Sequence, residues 1–160
     1  MRVIFAGIGR LKAGSERALF DRYVERIGKA GRALGVTGVD EIEIVESRAP
    51  APDQRKAEEA ASLLAALPRG VLLIALDESG KAPTSSTFAR SFETWKDTGA
   101  PAVAFALGGP DGHGPALIAA AHAVLALGPM TWPHQIARVL IAEQVYRAIT
   151  ILSGHPYHRN

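Results

Sequence analysis

The stretch PAVAFALGGPDGHG, residues 101–114, decides the fold class. From Ala102 to Leu107 every side chain is apolar, without the alternation of a strand that faces water on one side. Such a run is typical of a strand buried on both faces, as in a parallel sheet. VLLIALD, residues 71–77, has the same character until Asp77. Helices must then cover both faces of these strands.

Strand and helix patterns alternate along the rest of the chain. VDEIEIVES, residues 39–47, alternates apolar and acidic side chains and predicts a strand nearer a sheet edge. Asp53 is a candidate N-cap for the next helix. The alternation predicts an α/β fold, a mostly parallel open sheet with helices on both faces, in a single domain of residues 1–160. The predicted strands are residues 2–8, 39–47, 71–77, 101–107 and 123–128, and the predicted helices are residues 15–29, 54–67, 85–97, 115–122 and 134–152.

Composition excludes several classes of protein. With 48% hydrophobic and 21% charged residues, the chain can bury a core and is not disordered. It has no cysteine, which excludes disulfides, thiolate metal sites and a cysteine nucleophile. The N-terminus lacks the apolar core of a signal peptide, and no apolar run is long enough to span a membrane. We therefore expect a cytoplasmic protein that does not enter a membrane.

Charge and histidine are unevenly distributed. Residues 1–35 hold eight Lys and Arg against three Asp and Glu, an excess that could face a polyanion such as RNA. Equally, these cations could be the solvated face of the first helix. The cations concerned on the first helix are Arg17, Arg22, Arg26 and Lys29.

All five histidines lie between residues 113 and 158, so we expect the chemistry in the C-terminal half.

Ligands of open parallel sheets bind beyond the carboxyl ends of the strands. Three such ends stand out in the sequence: Leu76–Asp77, Leu107–Pro110 and Leu127–Trp132. Consecutive glycines let the backbone approach a ligand, although Gly-Gly-Pro alone more often marks a sharp turn. A classical dinucleotide-binding fold is disfavoured, because Lys12 stands where the third glycine of its motif would follow Gly7 and Gly9.

The last predicted helix is apolar around most of its circumference, so it must be buried on more than one side. A second subunit would bury it, and so would a crowded layer within one subunit; the pattern favours the dimer. Glu143 and Arg147 lie four residues apart, and Arg138 lies about one turn before Glu143. These groups are either structural ion pairs or side chains that point into a pocket.

The chain ends in HPYHRN, residues 155–160, an unusual density of functional side chains for a terminus. Pro156 prevents a helical ligand geometry between His155 and His158, and no H-E-x-x-H motif is present, so we expect no metal site. A hydrolase triad is also disfavoured, because no G-x-S-x-G motif occurs.

Taken together, the strand ends, the last helix and the tail resemble the RlmH family of SPOUT (α/β-knot) methyltransferases. The resemblance spans essentially the whole chain. Gly-Gly-Pro alone is weak, but its combination with Thr-x-Pro-His and the terminal HPYHR is specific. The motifs that carry it are Leu76-Asp77, Gly108–Gly112, Thr131-x-Pro133-His134, R-x-L-x-A-E-Q-x-Y-R-A over Arg138–Ala148, and HPYHR over His155–Arg159.

The resemblance implies an activity and an assembly. Members of this family use S-adenosylmethionine to methylate N3 of a pseudouridine in helix 69 of 23S rRNA, on assembled ribosomes. They are homodimers whose C-terminal segment forms a trefoil knot. Here Asn160 stands where many relatives have an acidic residue, and Trp132 replaces a smaller aliphatic one. The resemblance places the cofactor on Leu76, Gly108, Leu127, Gly128, Pro129, Met130, Thr131 and Trp132.

The implied reaction needs cations near the imide of the base and an acceptor for its weakly acidic N3 proton. Tyr157 is a candidate to stack on a base. We expect the tail of one subunit to cross onto the cofactor pocket of the other, with Pro156 stiffening it. The candidate cations are Arg138, Arg147 and Arg159, and the candidate proton acceptors are His134, Glu143 and His158, with solvent as a further alternative.

Two other functions are open at this level. One is a non-catalytic dimer that binds RNA or the ribosome through a degenerate pocket. The other is a knotted methyltransferase that acts on a different RNA, such as tRNA. The intact Gly-Gly-Pro and HPYHR motifs favour the rRNA methyltransferase over both.

Overall fold

The structure, a computed structural model, describes residues 1–157. Strands and helices alternate along the chain, as the sequence predicts. The elements are β1 (Arg2–Ile8), α1 (Ser15–Ala30), a 3-10 helix (Gly31–Leu34), β2 (Gly38–Ile44), α2 (Pro52–Ala66), β3 (Leu72–Lys81), α3 (Ser85–Asp97), β4 (Ala102–Leu107), α4 (Pro115–Ala120), β5 (Ala123–Leu125) and α5 (His134–Leu152).

Within the described residues, five strands form one sheet in the order β2-β1-β4-β3-β5, and every neighbouring pair is parallel. The two apolar runs found in the sequence, β3 and β4, pair in the middle of the sheet, with Ile74 opposite Phe105. The acidic strand β2 lies at one edge, where its outer side needs no strand partner. The predicted α/β class and parallel sheet are confirmed.

Successive sheet residues point to opposite faces, and each face has its own layer of helices. Val3 and Phe5 belong to the core under α1, α3 and α5. Ile4 and Ala6 belong to the core under α2 and α4. Helices therefore lie on both faces, as predicted. The sheet order does not test the trefoil knot, which stays a prediction.

Several boundaries differ from the predicted ones, among them the ends of β2 and α4, which lie at Ile44 and Ala120 rather than at residues 47 and 122. Helix α2 starts at Pro52 with Ala51 as its N-cap, so the predicted cap at Asp53 is wrong. Proline suits the first helical position because its fixed φ is already helical and its missing N–H has no partner there anyway. Strand β3 continues to Lys81 rather than ending at residue 77, and β5 ends at Leu125 rather than 128.

Gly80 explains the longer β3. A Cβ on this residue would lie 2.6 Å from the backbone nitrogen of Leu125, so only glycine lets the end of β3 approach β5 this closely. The register shifts between Leu76 and Lys81, where the strand passes this contact. The predicted strand and helix bounds leave residues 78–84 as a loop, because the contact with β5 is not visible in the sequence.

Helix α5 packs between α1 and α3 on the sheet, which buries much of its apolar surface within one subunit. A half-buried stripe remains along its other side. The stripe consists of Ile136, Leu140, Gln144, Arg147 and Ile151.

No helix in the part of the chain that the structure describes is long and apolar enough to cross a bilayer.

Substitution of Phe105 tests how much the core between the sheet and the helices contributes to stability. Its ring is fully buried in β4, with its centroid 5.9 Å from that of Phe5 and 6.0 Å from that of Phe88. We expect Phe105→Ala to lower the free energy of unfolding by about 3–5 kcal/mol, because it removes apolar contacts and leaves a cavity. Urea titration measures this. Val45→Ala, at a side chain that is 83% exposed, should change it by less than about 0.5 kcal/mol.

Candidate functional site

The carboxyl ends of β3 and β4 and the segment after β5 meet in one cleft of about 380 Å³. Parallel pairing brings these ends to the same edge of the sheet, as the sequence predicts. Of the predicted cofactor residues, Pro129 is exposed and does not line the cleft. Those that line it are Leu76, Gly108, Leu127, Gly128, Met130, Thr131 and Trp132.

The glycine loop, residues 108–113, forms one wall of the cleft. A Cβ on Gly108 would lie 2.8 Å from the carbonyl carbon of Gly112, so the loop closes only with glycine at this position. The amide of Gly112 donates to the carbonyl of Gly109 at 2.9 Å. The Gly-Gly-Pro sequence is therefore a tight turn and a cleft wall at the same time, and the two interpretations of it are compatible.

The segment from Leu127 to Trp132 forms the opposite wall. Gly128 has φ of 114°, a conformation that side chains disfavour, and lets the chain turn here. The indole nitrogen of Trp132 donates to the carbonyl of Leu127 at 3.3 Å and folds the segment onto itself. Met130 and Trp132 are 72% and 41% exposed, so this wall presents apolar surface at the cleft mouth.

His113 is a cleft residue that the sequence did not assign. Its Nε2 lies 3.1 Å from the carbonyl oxygen of Leu76. Burial lowers the pKa of His113, and the nearby charge of Asp77 only partly offsets this. The neutral ring can therefore donate to Leu76 and join the glycine loop to the end of β3. Its place in a glycine turn directly after a buried strand was the available signal.

Asp77 lies in β3 directly after Leu76 and is one of the acidic residues that line the cleft. Burial opposes its ionisation, but hydrogen bonds from the hydroxyl and amide of Ser79 outweigh this and lower the pKa of Asp77. The cleft therefore presents a carboxylate beside apolar walls, which suits a ligand that is both apolar and cationic.

The predicted catalytic residues fall into separate places along α5. His134 lies at its first residue and lines the cleft, and its catalytic role stays a prediction. Arg147 lies 13 residues further on, about 20 Å along the helix axis. His158 and Arg159, like Asn160, lie outside the described residues.

Arg138 is buried away from Glu143, although the two are close in sequence. Only 5% of it is exposed, and it donates to the carbonyl of Ile8 at 2.9 Å and to the carboxylate of Glu43 at 3.0 Å. These contacts anchor α5 to the ends of β1 and β2. The helix period turns Arg138 toward the sheet, which spacing on α5 alone did not reveal.

Glu143 and Arg147 of α5 form a second cluster with Tyr157, and this cluster lies against Tyr23 of α1. Arg147 donates to Glu143 at 2.9 Å, which is the predicted i,i+4 pair, and its guanidinium lies 5.2 Å from the ring centroid of Tyr157. The Tyr157 hydroxyl donates to Glu143 at 3.2 Å and lies 3.5 Å from that of Tyr23. Burial, followed by these neighbours, raises the pKa of Tyr157, so its hydroxyl stays protonated.

Within residues 1–157, no group of three or more His, Asp or Glu side chains is placed to hold a metal ion. His155 instead accepts, through Nδ1, a hydrogen bond from the amide of Tyr157 at 3.2 Å, which shapes the start of the tail.

A cleft at the strand ends with a glycine wall is consistent with the resemblance found in the sequence, and comparison with known proteins confirms it. A family model described as predicted SPOUT methyltransferase matches residues 1–158. The chain belongs to the SPOUT methyltransferase family. It is therefore a methyltransferase, as predicted.

Two curated relatives of this SPOUT methyltransferase are named ribosomal RNA large subunit methyltransferase H. The protein from Brucella anthropi is 54% identical over 160 residues, 100% of both chains. The protein from Rhizobium meliloti is 55% identical over 159 residues, 99% of each. A crystal structure of a probable methyltransferase from Bordetella pertussis Tohama I matches with a TM-score of 0.50 and 19% identity, over 92% of this chain and 95% of that one. This last likeness concerns the fold alone.

S-adenosylmethionine is the methyl donor of SPOUT methyltransferases. The residues of the cleft fit this molecule. Leu76 and Leu127 offer apolar contact for a purine ring, and the close turn at Gly108 exposes backbone groups for hydrogen bonds. The carboxylate of Asp77 complements a cation. That these residues hold the cofactor stays a prediction.

His113 should make stability depend on pH. Its folded pKa is lowered from the ordinary 6.5, so the unfolded chain binds more protons below that pH. The free energy of unfolding should be highest above pH 6.5 and should fall as the pH drops toward 5. Asp77 and Asp111, whose ordinary pKa is 3.8, stay ionised over this range and do not cause the change. Urea titrations at pH 5 and pH 7.5 measure the loss.

The variant His113→Asn keeps a donor but does not titrate in this range, so it should show a smaller loss between the two pH values. His122→Asn is the matched control, because that side chain is exposed and its variant should keep the pH dependence of the unmodified protein. An unchanged loss in His113→Asn would contradict the assignment.

Proposed function

We propose that the chain methylates N3 of a pseudouridine in helix 69 of 23S rRNA, with S-adenosylmethionine as donor. It would act on assembled ribosomes in the cytoplasm, as a homodimer of a single domain, residues 1–160. The observation that carries the proposal is the cleft of three strand ends in a chain 54% identical, over its full length, to a relative named as a large-subunit rRNA methyltransferase.

The cofactor would lie between the glycine loop and the segment 127–132. Bound there, it supplies an electrophilic methyl group. Leu76 and Leu127 would hold its apolar part, and the backbone beside Gly108 would orient it. Trp132, which is half exposed at the mouth, would restrict water. Fixed orientation of the two reacting groups supplies much of the rate enhancement in such transfers.

The second cluster supports a site shared by two subunits. Tyr157 contacts α1 and the far part of α5, and its contacts with Tyr23, Tyr146, Glu143 and Arg147 include no residue of its own cleft. A substrate site that needs both the tail and the cleft would therefore combine the tail of one copy with the cleft of another. The apolar members of the half-buried stripe on α5, together with Met130 and Trp132, offer surface for that contact.

In such a composite site, Arg147 and Arg159 would stabilise the imide anion of the base as N3 loses its proton. His134, at the cleft, His158 and Glu143 remain the candidate proton acceptors. The Tyr157 ring would stack on a neighbouring base. Arg138, held by Glu43 and a backbone carbonyl, would position α5 rather than touch the substrate.

The basic N-terminal helix would contact rRNA phosphates. Arg17 pairs with Asp21 and Glu41, and Lys29 pairs with Glu25, so these two cations are partly neutralised. Among the ion pairs of the described residues, none involves Arg22 or Arg26 on the same helix. These two are therefore the better candidates.

Radiolabelled S-adenosylmethionine tests substrate and reaction together. The acceptors are ribosomes that lack this methylation, free 23S rRNA and tRNA. We expect label on ribosomes only, mapping to the helix 69 pseudouridine. Label on tRNA would favour another RNA substrate. No label and no cofactor binding by calorimetry would favour the non-catalytic RNA-binding dimer.

Mixed dimers test the shared site. Deletion of residues 155–160 removes the tail, and Thr131→Arg places a long side chain in the cleft from an exposed position. Each variant alone should be inactive. After subunit exchange, half of the dimers would pair the two variants and restore one site in two, so we expect about a quarter of the unmodified activity. No recovery, despite exchange shown by mass spectrometry, would mean that the tail serves its own cleft.

A further inference from the structure

Helix α2 supports the glycine loop from the side opposite the cleft. Arg55 and Glu59 lie one turn apart on α2, and both reach the loop. We propose that these two side chains are positioning residues for cofactor binding, which hold the glycine loop, residues 108–113, in the shape that the cofactor needs. This inference rests on the cofactor cleft proposed above.

Arg55 makes a two-point contact with Asp111. Its Nε donates to Oδ2 at 2.7 Å and its Nη2 donates to Oδ1 at 3.2 Å. Asp111 also lines the cleft. The hydrogen bonds from Arg55 lower the pKa of Asp111, so the pair stays ionised at neutral pH. A planar two-point pair fixes orientation as well as distance.

The same guanidinium also holds the segment before α2. Its Nη1 donates to the carbonyl of Ala49 at 3.0 Å and to that of Pro50 at 3.1 Å. Arg55 therefore joins the glycine loop, through Asp111, to the chain that leads into α2. Because Ala49 and Pro50 hold the guanidinium in place, the pair fixes Asp111 relative to the start of α2.

Glu59 supports the middle of the loop. It is only 5% exposed, and its Oε1 accepts the amide of Ser47 at 2.9 Å. Its other oxygen, Oε2, is buried without a hydrogen-bond partner among the described residues. A Cβ on Gly109 would lie 2.8 Å from this oxygen, so the carboxylate fits directly behind the second glycine of the loop.

Gly114 gives a third close contact on the same side, since a Cβ there would lie 2.5 Å from the carbonyl oxygen of Lys56. The loop thus packs on Glu59 of α2 near its start, at Gly109, and the chain packs on the α2 backbone directly after the loop, at Gly114. A loop that is already ordered loses less entropy when a ligand binds. Because Arg55 and Glu59 act from behind the wall, they should affect cofactor affinity more than the chemical step.

Asp111→Asn removes the charge from the pair with little change of shape. We expect the dissociation constant for S-adenosylmethionine, measured by calorimetry, to rise roughly fivefold, the scale of a partly exposed two-point pair. The KM for the cofactor should rise similarly, with kcat on saturating ribosomes changed less than about twofold. Glu59→Gln should act in the same direction.

Asp40→Asn is the matched control. Arg2 and Asp40 form the same kind of two-point pair, but at the amino ends of β1 and β2, away from the cleft. The variant Asp40→Asn should leave the cofactor dissociation constant unchanged within about twofold, even where urea titration shows that it lowers the free energy of unfolding as much as Asp111→Asn does. Equal affinity in Asp111→Asn and the unmodified protein would overturn the proposal.

Thr131→Arg separates this inference from the cofactor cleft itself. If that variant binds S-adenosylmethionine normally, the cofactor does not bind in this cleft, and the positioning role of Arg55 and Glu59 is overturned too. If Thr131→Arg abolishes binding while Asp111→Asn and Arg55→Met do not weaken it, only the positioning role is overturned. Weakened binding in all three, with Asp40→Asn unaffected, supports both.

Discussion

Parallel pairing of β4 between β1 and β3 is the constraint on which the rest of the structure depends. A strand in this position is buried on both faces, so helices must cover both, and each connection must return to the same end of the sheet. The carboxyl ends of the strands then meet at one edge. The cleft between the glycine loop and the segment 127–132 is a direct result of that geometry.

Polar side chains fix the pieces that the apolar core leaves free. Arg138 attaches the start of α5 to the ends of β1 and β2. Arg55 attaches the glycine loop to α2, and His113 attaches it to the end of β3. Each contact joins segments distant in sequence and lies at or near the carboxyl edge. Because these contacts lie at this edge and not in the apolar core, their loss should disturb the site before the core.

Much of the cleft was predictable from local patterns. Leu76, Gly108 and Thr131 belong to the three segments that the sequence marks as the ends of predicted strands, and the family resemblance named the same positions. Pro129 was expected in the site, but its side chain is exposed and does not line the cleft. His113 and the supporting role of Arg55 were not predicted, since each depends on a contact with a segment more than thirty residues away in sequence.

By itself, the amino-acid sequence determined the β-α alternation, the central apolar strands and the position of ligands at their carboxyl ends. These are properties of hydrophobic period and strand direction, which local residues encode. Tertiary structure alone decided that Arg138 turns to the sheet while Glu143, five residues later, joins Arg147 and Tyr157. A helix presents different faces to different neighbours, and only the packed arrangement of α1, α5 and the sheet shows which neighbour each face meets.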